Sequence, residues 1–155
     1  PGTPPWPEIL QGMRPQWTII NRAQGSERVS GVRAKASGAI TTDTDAVVIL
    51  IGSVNVLFGD TGSYASDLAA VIRNGKSKGA RVLVCTIPPM VGPRSGFASS
   101  VDRLNRTIRS TAAAEGAVLV DIFRELEGSP ERFPDGLHPD LSGQRIIANA
   151  VREKI

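Results

Sequence analysis

The chain has 155 residues, 41% of them hydrophobic and 21% charged, with 18 Lys and Arg against 15 Asp and Glu. That length and composition suit one globular domain, residues 1–155, built around one core. The net charge of +3 is scattered, which argues against a nucleic-acid surface. No apolar run reaches the ~20 residues of a membrane span, and the lone Cys85 excludes an internal disulfide.

After a proline-rich start, PGTPPWP, the first apolar run with strand character is Trp17–Ile20 (WTII). A weak helix follows over Ser26–Ile40, interrupted by Gly31 and Gly38. Ala46–Ile51 (AVVILI) reads as a strand, and Tyr64–Lys78 as a helix with Tyr64, Leu68, Val71 and Ile72 on one face. Arg81–Thr86 (RVLVCT) is the next strand. Ser99–Glu115 is a helix facing inward through Val101, Leu104, Ile108 and Ala112, with Gly116 as its stop. Val118–Ile122 (VLVDI) is the last strand, and Leu141–Lys154 the closing helix, with Asp140 as its N-cap. Gly75 and Gly79 are read as a tight helix-to-strand turn. The strands are nearly continuous in aliphatic residues, the pattern of a parallel sheet covered on both faces. Their alternation with helices predicts a three-layer α/β/α sandwich.

In such sheets ligands gather beyond the carboxyl ends of the strands, so the loops there carry the candidate chemistry. The only histidine, His138, lies in FPDGLHPD (133–140), three residues after Asp135. Spacing alone leaves two readings. One is a structural turn, in which Asp135-Gly136 reverses the chain and His138-Pro139 precedes a helix. The other is an acid–base couple, in which a carboxylate fixes the imidazole tautomer and stabilises the imidazolium. A zinc site is excluded, because one His without a Cys cluster cannot supply its ligands. The couple would need a nucleophile and donors for an oxyanion. Cys85, on an apolar strand, reads as a small core residue. Neither a dinucleotide-binding nor a P-loop glycine pattern occurs.

The order NRAQG, VVILIGSVN, TIPP, VDRLN and DGLHPD-x-x-G resembles the SGNH hydrolases, also called GDSL esterases and lipases, over essentially the whole chain. The resemblance implies a parallel, flavodoxin-like sheet and makes Asp135 and His138 two members of a Ser-His-Asp triad. Gly25 matches the family's oxyanion glycine. The family's Gly-x-Asn-Asp block departs here to Gly52-Ser53-Val54-Asn55. With one inserted residue Asn55 is the oxyanion donor, the preferred reading; without a gap Val54 takes that place and a donor worth ~3–4 kcal/mol is lost. No metal or organic cofactor is implied. The substrate class is a small ester, such as an acetylated sugar or a short acyl ester, with Met90–Ser100, including Arg94 and Phe97, as the specificity wall.

The family's nucleophile lies in a Gly-Asp-Ser motif after its first strand, and no Gly-Asp-Ser occurs in this sequence. That interior strand would bury about four aliphatic side chains, roughly 6–12 kcal/mol, comparable to a domain's whole stability. The chain is therefore expected to be an N-terminally truncated member whose serine lies upstream, and by itself either poorly stable or closed up across the gap between strands. Ser26 and Ser53 are read as loop or cap residues. The alternative is an SGNH-like module that has lost hydrolysis and binds carbohydrate or ester ligands, or serves as a scaffold.

Overall fold

Three short aliphatic runs pair side by side in a computed structural model that describes residues 2–155. Strand β1 (Ala46–Ile49) pairs in parallel with β2 (Arg81–Cys85), Ala46 opposite Arg81, and β2 pairs in parallel with β3 (Val118–Val120), Leu83 opposite Val118. The period of two sends alternate residues to opposite faces. Val82 and Val84 enter one core, with Ile49 and Leu119, while Leu83, Cys85, Val48 and Val120 enter the other. Both faces are covered, which is why these runs are continuous rather than alternating.

Helices α2 (Val29–Ala39), α4 (Tyr64–Ser77) and α5 (Ala98–Ala114) cover the first face. Helices α1 (Trp6–Met13), α6 (Ile122–Leu126) and α7 (Leu141–Lys154) cover the second. Helix α3 (Ser53–Leu57) follows β1 directly. This is the expected three-layer parallel α/β/α arrangement. The five segments read as helices or strands from α4 to α7 fall within two residues of their expected bounds.

Three local expectations give way. Trp17–Ile20 forms no strand: Gln11 takes over its backbone, Nε2 donating to Trp17 O at 2.6 Å and Oε1 accepting from Ile19 N at 2.9 Å. With the sheet ordered β1-β2-β3, the outer edge of β1 has no strand partner among the described residues, so this segment has no ladder to join. Second, Gly75 lies inside α4 rather than in a turn; a Cβ there would stand 2.7 Å from Val82 Cγ2, so its absence lets α4 lie on the sheet. Gly79, at φ +80, is the residue that turns the chain. Third, β3 stops at Val120 because Asp121 caps α6, its side chain accepting from Arg124 N. A helix of five residues has too little periodicity to be read in advance, and the same holds for α3.

Candidate active site

The 133–140 turn is built from its own backbone outward. Gly136 N donates to Phe133 O at 2.9 Å, and Gly136 adopts φ +80, which favours glycine. A Cβ at Gly136 would stand 2.2 Å from Val91 O, and Gly136 O accepts from Val91 N at 3.0 Å, so the turn and the loop after β2 are pressed together there. At the far end Asp140 Oδ1 accepts from Gly143 N at 2.8 Å, the N-cap read from the sequence.

Asp135 works inside this frame with both carboxylate oxygens. Oδ1 accepts from Leu137 N at 2.9 Å and from His138 N at 2.7 Å, while Oδ2 lies 2.5 Å from His138 Nδ1. The backbone N–H of His138, then its ring, then the N–H of Leu137 hold the Asp135 carboxyl well below the usual carboxylate range. With Asp135 ionised, the shared proton belongs on Nδ1, leaving Nε2 as the free acceptor. The His138 side chain is 76% exposed, so Nε2 is open to a reactant.

His138 borders a cleft of about 210 Å³ with Leu50, Ser53, Val54 and Leu57 from the end of β1 onward, and Pro88 beyond β2. Leu137, Pro139, Trp6, Gln144 and Ile147 complete it. The cleft therefore lies beyond the carboxyl ends of β1 and β2, where the fold predicts chemistry. Gln144 Oε1 accepts from Trp6 N at 3.0 Å, tying α1 to α7 along one wall.

The other expected residues are placed differently. Gly25 lies in an exposed turn ahead of α2, with open space where a Cβ would be. Asn55 is 2% exposed: Oδ1 accepts from Val29 N at 3.1 Å and Nδ2 donates to Asp60 O at 2.7 Å. Asn55 thereby fastens the start of α2 to the loop after α3, while Ser53 and Val54 line the cleft. The Asn55 amide is thus spent inside the protein, and Ser53 and Val54 are the residues of this block that reach the cleft. Ser26, at φ +60, is a turn residue, and burial pushes the Cys85 thiol up to about 12, consistent with its core role.

Two supports were not read from the sequence. Asn105 on α5, 1% exposed, accepts from Ile87 N at 2.8 Å and donates to Ile87 O at 3.1 Å, fixing the chain just before Pro88 reaches the cleft. Thr86 Oγ1 donates to Asp121 Oδ1 at 3.0 Å and accepts from Phe123 N at 2.9 Å, joining the end of β2 to α6. An asparagine on the apolar face of a helix is the one signal that could have flagged Asn105, because a buried amide needs partners.

Solved structures share this architecture. An acetyl xylan esterase, AlAXEase, superposes with a TM-score of 0.82 at 18% identity, covering 97% of this chain and 90% of its own. A lipolytic protein of the G-D-S-L family from Veillonella parvula gives 0.82 at 20% identity, with 96% and 86% covered. TesA gives 0.81 at 22% identity, with 97% and 86% covered. No curated protein matches the chain. The description of the GDSL-like lipase/acylhydrolase family matches residues 1–146, and with that match and its parallel α/β/α fold the chain belongs to this family of SGNH hydrolases.

Proposed function

We propose that the chain carries the acid–base part of a serine ester hydrolase whose nucleophilic serine lies upstream of residue 1. Membership of the family supports ester hydrolysis as the activity class. The observation that carries the triad reading is the 2.5 Å contact between Asp135 Oδ2 and His138 Nδ1, on a cleft beyond the strand ends. In this reading His138 Nε2 takes the proton of the serine hydroxyl as it attacks the ester carbonyl, then returns it to the leaving alcohol; water repeats the cycle on the acyl-serine. Asp135 holds the ring in the required tautomer. Gly25 N–H is assigned to the oxyanion with the serine's own N–H. Asn55 is kept as a donor only through the amide hydrogen not spent on Asp60, after a movement that turns it toward the cleft. The substrate is a small ester; the acetyl xylan esterase neighbours favour an acetylated sugar.

A second reading, a binding module without hydrolysis, is favoured by one observation: the Asn55 amide is buried on Val29 and Asp60, and the cleft wall beside it carries Val54, which has no side-chain donor. Fluorophosphonate labelling separates the two. A polypeptide extended by the natural sequence ahead of Pro1 is expected to label at an upstream serine, and to lose labelling with His138→Ala. Labelling of the 155-residue chain at Ser26 or Ser53 overturns the assignment of the nucleophile, and an extended polypeptide that never labels favours the binding module.

A further inference from the structure

Helix α3 separates two cavities. Ser53, Val54 and Leu57 face the His138 cleft, whereas Val56 faces a second cavity of about 330 Å³ between the 56–61 stretch and the first half of α5. That volume is near the ~300 Å³ at which small-molecule pockets begin. Its polar lining is one guanidinium, Arg103, and three hydroxyls, Thr61, Ser100 and Thr107, over a floor formed by the core residues Val56 and Leu104.

The charge there is uncompensated. Arg103 forms no ion pair among the described residues, and its side chain spends one donor, to Ser100 Oγ at 3.1 Å. A guanidinium has five donors in a planar fork that matches a carboxylate or phosphate. Two carboxylates close in sequence to the lining residues are otherwise directed: Asp60 is held by Arg28 at 3.0 Å, and Asp102 projects about 100° round α5 from Arg103. Thr107 donates to Arg103 O at 3.3 Å and keeps its lone pairs for a ligand hydroxyl.

We propose that this cavity binds a monosaccharide-sized polyol bearing one carboxylate or phosphate. Arg103 takes the anion, and Thr61 and Thr107 take ring hydroxyls above the floor formed by Val56 and Leu104. The site does not depend on the reaction proposed above, since none of its residues borders the His138 cleft.

Amide chemical-shift titration of the polypeptide extended by the natural sequence ahead of Pro1 tests it, with D-glucuronate, glucose 6-phosphate, glucose and inorganic phosphate as probes. At least one of the two sugar anions is expected to bind, shifting amides at 59–61 and 100–107, and which one binds identifies the anion. Glucose and inorganic phosphate should each bind roughly tenfold more weakly, and Arg103→Gln should weaken the sugar anion by roughly the same factor. The Arg103 side chain is exposed, so the variant should keep a dispersed spectrum; if it does not, added salt must weaken binding to the parent chain instead. The proposal is overturned if neither sugar anion shifts those amides, if Arg103→Gln or added salt leaves the affinity unchanged, or if inorganic phosphate binds as tightly as the sugar anion.

Discussion

The two walls of the His138 cleft are built to different standards. On one side the 133–140 turn is fixed from several directions at once: both carboxylate oxygens of Asp135 are engaged, Gly136 is clamped against Val91, and Asp140 caps the following helix. On the other side Gly52 to Leu57 is also tightly held, but the holding uses up its polar side chain. Asn55 turns inward to Val29 and Asp60, and the cleft receives Ser53 and Val54. The Asp135–His138 pair is thus fully formed within one turn, whereas the amide of the facing wall is turned away from the cleft. Two side chains three residues apart can be brought together by one turn, whereas the facing wall depends on contacts between α2, α3 and the loop after it.

The sharpest way to break the contrast is to disturb the well-made wall. Gly136→Val forces a side chain into φ +80 and places a Cβ 2.2 Å from a backbone oxygen that cannot swing away. The cost is expected at about 3–5 kcal/mol, measured by urea unfolding. Gly52→Ala, on the other wall, combines φ +142 with a Cβ 2.8 Å from Leu104 Cδ2. That neighbour is the end of a side chain rather than backbone, so a smaller loss of about 1–3 kcal/mol is expected. If Gly52→Ala proves the more damaging of the two, the ranking of the walls is reversed.

Asn55 decides whether the second wall is structural. Asn55→Ala leaves the buried Val29 N–H and the Asp60 carbonyl unpaired and should cost about 1–3 kcal/mol. An oxyanion donor that merely happens to be buried would instead lose catalysis with little loss of stability. Val54→Asn is the complementary test, since the substitution returns an amide to the cleft wall. In an extended, active polypeptide it should raise kcat by about tenfold or more if Val54 occupies the donor position; an unchanged kcat would put the donor elsewhere.

These differences explain what was legible in the sequence. The sheet and the long helices announced themselves because both kinds of element must hide a regular apolar pattern, as in Leu68–Ile72 or Val82–Cys85. Asp135, Asp140 and His138 were legible because their partners lie within three residues. Trp17–Ile20 was misread because strand propensity is local while a strand's partner is not: the same residues settle against Gln11 where no neighbouring strand is present. The role of Asn55 was ambiguous for a related reason. A residue's number in a motif does not say which way its amide faces, and a shift of one place in a short helix turns a side chain by about 100°.

The smallest expected effect concerns acid. Asp135 has its pKa lowered in the folded chain, chiefly by the backbone N–H of His138, then by the imidazole and the N–H of Leu137. A depressed folded pKa means that the unfolded chain binds the proton first, so the contribution to stability is complete above the ordinary aspartate value, about 3.9, and drains away as pH falls below it. Asp135→Asn keeps an oxygen for the two backbone donors and removes the titration. Stability measured by denaturant unfolding from neutral pH down to pH ~2 should therefore fall less steeply in Asp135→Asn than in the parent chain. The parent curve will not flatten completely, because Asp121 and Asp140 are also held low by hydrogen bonds and lose their contribution in the same direction. The side chain of Asp135 is 55% exposed, so solvent screens the interaction and the difference between the curves should be modest. Identical acid limbs would mean that the turn is held by its backbone and by Gly136 alone, with the carboxylate free to serve the histidine without serving the fold.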